Sequence, residues 1–124
     1  MPQRTTKILG AGMPALAAAQ ISGDLQDNVT AAGSTQATAT PVYGDCVVVT
    51  TTAASTGVIL SGPAFTQGDD CVVANLGASA LLVYPPVGGQ INALAVNAGF
   101  SVAAGKSALI FARSSTTFIA ALSA

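Results

Sequence analysis

The chain has 124 residues, of which 51% are hydrophobic and only 7% are charged, and its formal net charge is −1. Its four Lys and Arg residues do not supply the basic surface that binding to a nucleic-acid backbone requires. The chain has no His, the commonest general base and metal ligand, and this argues against an enzyme and against a bound metal or other cofactor.

Residues 1–28 are predicted to form an extended N-terminal arm, followed by a β-rich domain over residues 29–124. Pro14 suits the first turn of a short helix over Ala15–Gln20, which Gly23 would end. A segment of Gly, Ala and single polar residues buries too little apolar surface to order itself. We therefore expect the arm to lie against a neighbouring chain; the alternative is an arm folded back on its own domain.

From Val29 onward, β-branched and aromatic residues gather in short runs separated by Gly, Pro, Asn and Asp, which predicts a series of strands. The predicted strands are Ala37–Tyr43, Cys46–Thr51, Gly57–Leu60, Cys71–Asn75, Ala80–Tyr84, Phe100–Val102, Ser107–Ala112 and Thr117–Leu122. We predict an all-β fold built as an antiparallel β-sandwich, jelly roll or barrel.

Several predicted strands are apolar at consecutive positions, as in Val47–Val49, Ala80–Val83 and Ala108–Phe111. One face of a small antiparallel sandwich normally meets water, so this pattern indicates strands that contact protein on both faces. Together with the low charge, it predicts a subunit that other chains cover. A closed barrel with no partner is the alternative. Asn, Pro and Gly interrupt the uncharged stretch from Cys71 to Gly105, so no membrane-spanning segment is predicted.

One pattern occurs twice: Gly44–Val49 and Gly68–Val73 each run from a Gly-Asp turn into a Val-rich strand. Turn chemistry accounts for this similarity. The two cysteines, Cys46 and Cys71, begin these strands. If the strands are antiparallel neighbours, the thiols lie at opposite ends, beyond the reach of a disulfide bond. Two buried free thiols are therefore expected, with a disulfide as the alternative.

Two further motifs have functional interpretations that we do not favour. Gly105–Ser107 with Gly99 is similar to a phosphate-binding loop, but the glycine spacing is one residue too long and a strand is predicted to follow, where a phosphate site needs a helix. Asp69 and Asp70, with Asp45, could supply oxygen ligands to Ca²⁺. Adjacent aspartates in a turn are more often solvated turn formers.

Residues Thr30–Thr40, together with Val72–Gly77 and Leu82–Asn92, resemble small virion proteins of tailed bacteriophages, which include head decoration (cement) proteins and head fibres. The resemblance implies a β-rich and commonly trimeric protein without catalytic residues. Members of this group often have an aromatic residue in the last strand, where this chain has Phe118.

The resemblance and the composition together predict a capsid decoration protein, made in the host cytoplasm and located on the capsid surface of the virion. Its expected partners are the major capsid protein and other copies of itself in a homotrimer, with no nucleic acid and no membrane. The alternatives are a tail or baseplate fibre component and a carbohydrate-binding β-sandwich for host adhesion. The candidate capsid contacts lie in the arm: Arg4, Lys7, Ile8, Leu9, Met13 and Leu16.

Overall fold

The computed structural model describes residues 25–61 and 65–123. These residues form strands and turns with no helix among them, which confirms the prediction of an all-β protein for this part of the chain. The strands are β1 Leu25–Thr30, β2 Thr40–Val42, β3 Cys46–Thr51, β4 Gly57–Leu60, β5 Asp70–Asn75, β6 Leu81–Tyr84, β7 Gln90–Ile91, β8 Phe100–Val102, β9 Ser107–Ala112 and β10 Thr117–Leu122.

The strands form a β-solenoid with two mixed sheets. The larger sheet has six strands in the order β1-β3-β5-β9-β10-β7, and the smaller has four in the order β2-β4-β6-β8. From β1 to β6 the chain crosses between the sheets at every strand, and each strand lies parallel to the one two positions earlier. The chain therefore winds through three stacked coils, β1–β2, β3–β4 and β5–β6.

Antiparallel strands cover the third coil. β9 pairs with β5 in the larger sheet, and β8 pairs with β6 in the smaller one. β10 then continues the larger sheet antiparallel to β9, and β7 lies parallel to β10 at its far edge.

The predicted antiparallel sandwich, jelly roll or barrel is therefore wrong at the level of architecture. The physical reason is that alternation of side chains shows where strands lie but not which strands pair. In a solenoid each strand pairs with its counterpart in the next coil, and that pairing is parallel. The repeated pattern at Gly44–Val49 and Gly68–Val73 marks two such successive coils, because β3 and β5 are parallel neighbours.

The core lies between the two sheets. The larger sheet contributes inward-facing residues such as Val47, Val73 and Ile110, and the smaller sheet contributes Val58 and Val83; each of the five is at most 1% exposed. Because successive side chains of a strand point to opposite faces, the residues between these positions lie on the outside.

Five of the predicted strands coincide with observed ones in both bounds: β3, β4, β8, β9 and β10. β1 and β7 were not predicted. β1 begins at Leu25, inside the segment assigned to the arm, and the division into arm and domain stays a prediction. The predicted helix at Ala15–Gln20 lies outside the described residues.

The loop after β6 contains Pro85, Pro86, Gly88 and Gly89. Gly88 has a φ of 85°, and the amide of Gly89 donates to the carbonyl of Pro86 at 2.8 Å. The side chain of Asn97 closes the loop, because its Oδ1 accepts a hydrogen bond from the amide of Gly88 at 2.6 Å. These hydrogen bonds hold the loop in a tight turn after the two prolines.

The described residues contain no helix that is long and apolar enough to cross a membrane.

Candidate interaction surface

The outer face of the six-stranded sheet carries a row of apolar side chains. Leu25 of β1 pairs with Cys46 of β3, which pairs with Val72 of β5. Val72 in turn pairs with Leu109 of β9, and Leu109 with Ala121 of β10. These five residues therefore lie side by side across five strands, and all of them are exposed. We call the outward surface of β1, β3, β5, β9 and β10 the apolar sheet face.

The exposed fractions on this face are large for apolar side chains in a strand. Leu25 is 62% exposed, Leu109 44% and Val72 37%. Beside the row lies Phe111, which is 38% exposed and pairs with Ile119 of β10. Contiguous apolar surface of this kind is often where a protein meets a partner.

Charge is nearly absent from this face. Asp70 is the only charged residue in the four strands β3, β5, β9 and β10, and it lies at the border of the face, opposite Phe111. The edge strand β1 adds Asp27. The centre of the face can therefore be covered by protein without removing a charge from water.

The consecutive apolar residues in β3, β5 and β9 are explained by this arrangement. Val47, Val73 and Ile110 fill the core, whereas the residues between them, such as Val72 and Leu109, lie on the apolar sheet face. We predicted contact with protein on both faces for the strands that contain Val47–Val49, Ala80–Val83 and Ala108–Phe111. Among the described residues, β3, β5 and β9 pack against protein on one face, and contact on the other face stays a prediction.

A shallow cleft of about 570 Å³ borders the apolar sheet face. Its lining residues are Gln67, Gly68, Phe111, Ala112, Arg113, Ser114 and Thr117. The hydroxyl groups of Ser114 and Thr117 are 2.8 Å apart and hydrogen-bonded to each other. The cleft thus combines one partly exposed aromatic ring with a guanidinium group and hydroxyl groups.

The two thiols have different surroundings. Cys46 is exposed on the apolar sheet face, whereas Cys71 is 2% exposed in the core, and both are free. The expectation of two buried thiols is therefore wrong for Cys46. β3 and β5 pair Cys46 with Val72 rather than with Cys71, so the two side chains point to opposite faces of the sheet. Burial raises the pKa of the Cys71 thiol from 9.0 to about 12, because the thiolate would lose its hydration.

The raised pKa of Cys71 predicts a loss of stability in alkali. The unfolded chain releases the Cys71 proton at pH 9.0 and the folded chain only at about 12. The contribution of this group is fully present below the lower value and is lost as the pH rises towards the higher one. In urea unfolding across this range, Cys71→Ala should lose less stability with rising pH than the unchanged chain. Cys46→Ala is the matched control and should keep the original slope; equal slopes for all three proteins would contradict the prediction.

The aspartates considered as calcium ligands have other roles. The carboxylate of Asp69 accepts hydrogen bonds from the amide and hydroxyl of Thr66, at 2.9 and 3.1 Å, and so closes the turn before β5. Asp45 is buried, with 4% of its surface exposed. In residues 25–61 and 65–123 no group of three or more His, Cys, Asp or Glu side chains is placed to hold a metal ion.

Gly105 has a φ of 78° and lies in a turn, closed by a hydrogen bond of 3.1 Å from the amide of Lys106 to the carbonyl of Ala103. Strand β9 begins directly afterwards at Ser107. A strand therefore follows this turn, where a phosphate-binding loop needs a helix.

The predicted capsid contacts Arg4, Lys7, Ile8, Leu9, Met13 and Leu16 lie outside the described residues. The apolar sheet face was not predicted from the sequence. The sequence signal for this face was the apolar character of alternate positions in β3, β5 and β9. These positions can be placed on one surface only once the pairing of the strands is known.

In comparisons with known proteins, no protein-family model, no curated protein and no solved structure matches the chain.

Proposed function

We propose that this chain is a bacteriophage capsid decoration protein that binds the outside of the shell as a homotrimer and stabilises it by bridging capsid subunits. The observation that carries the proposal is the apolar sheet face, a nearly uncharged surface across five strands of a protein with only 7% charged residues. Such a surface suits a subunit of a symmetric assembly, in which neighbouring chains cover it. The resemblance to small virion proteins is the basis for placing the chain on the capsid surface.

In this proposal the N-terminal arm and the described residues make different contacts. The described residues form a rigid β-solenoid that associates with other copies, and the N-terminal arm binds the major capsid protein. Arg4 and Lys7 supply ionic contacts, and the apolar contacts come from Ile8, Leu9, Met13 and Leu16. Several arms in one oligomer bind a shell more firmly than a single arm does, because each later contact forms at a high effective concentration. The chain is made in the host cytoplasm and acts on the capsid surface of the virion, without catalysis or a cofactor.

Deleting residues 1–24 should abolish binding to shells. This deletion leaves β1 intact, since that strand begins at Leu25. Binding is measured by co-sedimentation with empty shells of the phage that encodes the chain, stripped of this protein. The control is the double variant Arg4→Ala/Lys7→Ala, which should bind more weakly but detectably because exposed ion pairs contribute about 1 kcal/mol or less each. Undiminished binding of the truncated chain would contradict the role of the arm.

A tail or baseplate fibre component is the alternative within the same class of proteins. The number of copies in each virion separates the two. Quantitative mass spectrometry of purified particles should find hundreds of copies for a head protein; a handful would place the chain in the tail.

A carbohydrate-binding adhesin is the alternative from another class, and the cleft beside Phe111 is the observation that favours it. Sugars bind where an aromatic ring lies beside hydrogen-bonding groups, and the cleft offers Phe111 with Arg113, Ser114 and Thr117. Binding of the purified chain to a glycan array, lost in Phe111→Ala, would support this function over the decoration protein.

A further inference from the structure

We propose that the apolar sheet face is the contact between copies of this chain, so that two copies pack through the outer faces of their six-stranded sheets. A contact between two identical faces closes at two copies, so it forms a dimer rather than the trimer that the resemblance implies. This inference rests on the self-association in the proposed function. It does not depend on the capsid, and its test uses the purified protein alone. Failure of this contact and failure of shell binding are therefore separate results.

The shape of the face suits packing of one sheet against another. The registers of β3 with β5, of β5 with β9 and of β9 with β10 run without a bulge, so the outward side chains form unbroken rows. Along the row, the small side chains of Cys46 and Ala121 lie beside larger ones, Cys46 between Leu25 and Val72 and Ala121 next to Leu109. Side chains of unequal size let two faces interdigitate at the usual spacing of about 10 Å.

The charges of the face suit a second copy of the same chain. In a contact between identical surfaces, every charge at the centre would meet a like charge or lie close to one. The row from Leu25 to Ala121 contains no charged residue, so copies can meet there without repulsion. Charges of both signs lie at the border of the face. Asp70 pairs with Phe111, and Arg113 lies in the wall of the neighbouring cleft. A border with both signs allows attraction between copies.

The apolar sheet face is also large enough to form most of a contact between two copies. Five strands at about 4.8 Å and strand lengths of about 20 Å give a projected area of roughly 480 Å². The accessible area is larger than this projection because the side chains stand out from the sheet. A stable pair of proteins buries about 800 Å² on each partner, so most of a standard interface is available on this face, and its surrounding residues supply the remainder.

Cys46 reports directly on this contact, because its thiol lies in the row that would be covered. Cys71 is the internal control, since it is buried in the core whether or not copies associate. Labelling by N-ethylmaleimide, followed by mass spectrometry, distinguishes the two sites. In the unchanged full chain, we expect Cys46 to be labelled about tenfold more slowly at submillimolar than at low micromolar concentration. Cys71 should stay unlabelled at both.

A pair of matched variants locates the contact. Leu109→Asp places a carboxylate at the centre of the face, whereas Val87→Asp places one on the loop after β6, where Val87 is 80% exposed. Native mass spectrometry and sedimentation should find dimers of the unchanged chain and of Val87→Asp, and monomers of Leu109→Asp. Cys46 of Leu109→Asp should be labelled rapidly at every concentration. Circular dichroism establishes that both variants are folded.

Three results would overturn the inference. One is a monomeric chain with fast labelling of Cys46 at all concentrations, which needs no variant. Another is an oligomer in which Cys46 stays accessible, because the copies would then meet elsewhere. The third is a monomer in which Cys46 is protected until residues 1–24 are deleted, since the cover would then be the chain's own N-terminal segment.

Discussion

Truncation of Phe118 to alanine should lower the free energy of unfolding by about 3–5 kcal/mol, the usual cost of removing a buried aromatic side chain. Phe118 is 1% exposed, and its ring meets that of Phe65 edge to face, with centroids 5.0 Å apart and planes at 85°. It lies in β10 between Ala112 of β9 and Ile91 of β7. The small neighbour Ala112 cannot fill the space that the ring would leave.

Phe111→Ala is the matched control for this prediction. Phe111 lies in the adjacent strand β9, but its side chain points outward and is 38% exposed. Measured by urea unfolding at a concentration where the chain is monomeric, Phe111→Ala should cost about 1 kcal/mol or less. Similar losses for the two variants would mean that the ring of Phe118 does not fill the core in the way described.

Replacement of Asn75 by leucine should lower the free energy of unfolding by about 2–6 kcal/mol, through lost hydrogen bonds rather than through a change of volume. Asn75 is fully buried at the end of β5. Its Nδ2 donates to the carbonyls of Ser79 and Val102, at 2.8 and 3.0 Å, and its Oδ1 accepts from the amide of Gly77 at 3.0 Å. Since Val102 belongs to β8, this one side chain links the two sheets and also holds the turn after β5.

Leucine has a similar volume but can make none of these hydrogen bonds. The carbonyl of Ser79 keeps a second donor, the hydroxyl of Thr52 at 2.9 Å. Two hydrogen bonds are lost, the buried one to the carbonyl of Val102 and the half-buried one from the amide of Gly77. Each loss costs about 1–3 kcal/mol.

Gln67→Leu is the control for this substitution, because it replaces an exposed amide side chain in a turn. It should change the stability by about 0.5 kcal/mol or less. Thermal and urea unfolding of both variants measure the difference. If Asn75→Leu were as stable as the control, the hydrogen bonds of Asn75 would contribute little to the fold.

The positions of most strands could be predicted from the sequence because local chemistry sets them. Gly, Pro, Asn and Asp end the runs of β-branched and aromatic residues, and β3, β4, β8, β9 and β10 begin and end where these runs do. β1 was missed because its sequence, LQDNVT, is mostly polar and its pairing with β3 is irregular around Asn28, which has a φ of 54°. β7 has only two residues, too few for a periodic signal.

Local sequence is enough to predict the all-β character of the described residues, most strand bounds and the apolar character of both sides of β3, β5 and β9. The architecture follows only from how the strands pair, because alternation along a strand has the same period in parallel and antiparallel pairs. Parallel pairing of successive coils put Cys46 outside and Cys71 inside the same sheet. It also aligned Leu25, Cys46, Val72, Leu109 and Ala121, which are far apart along the chain, into one surface. The register of the whole sheet made that surface, and no local stretch of sequence encodes the register of a sheet.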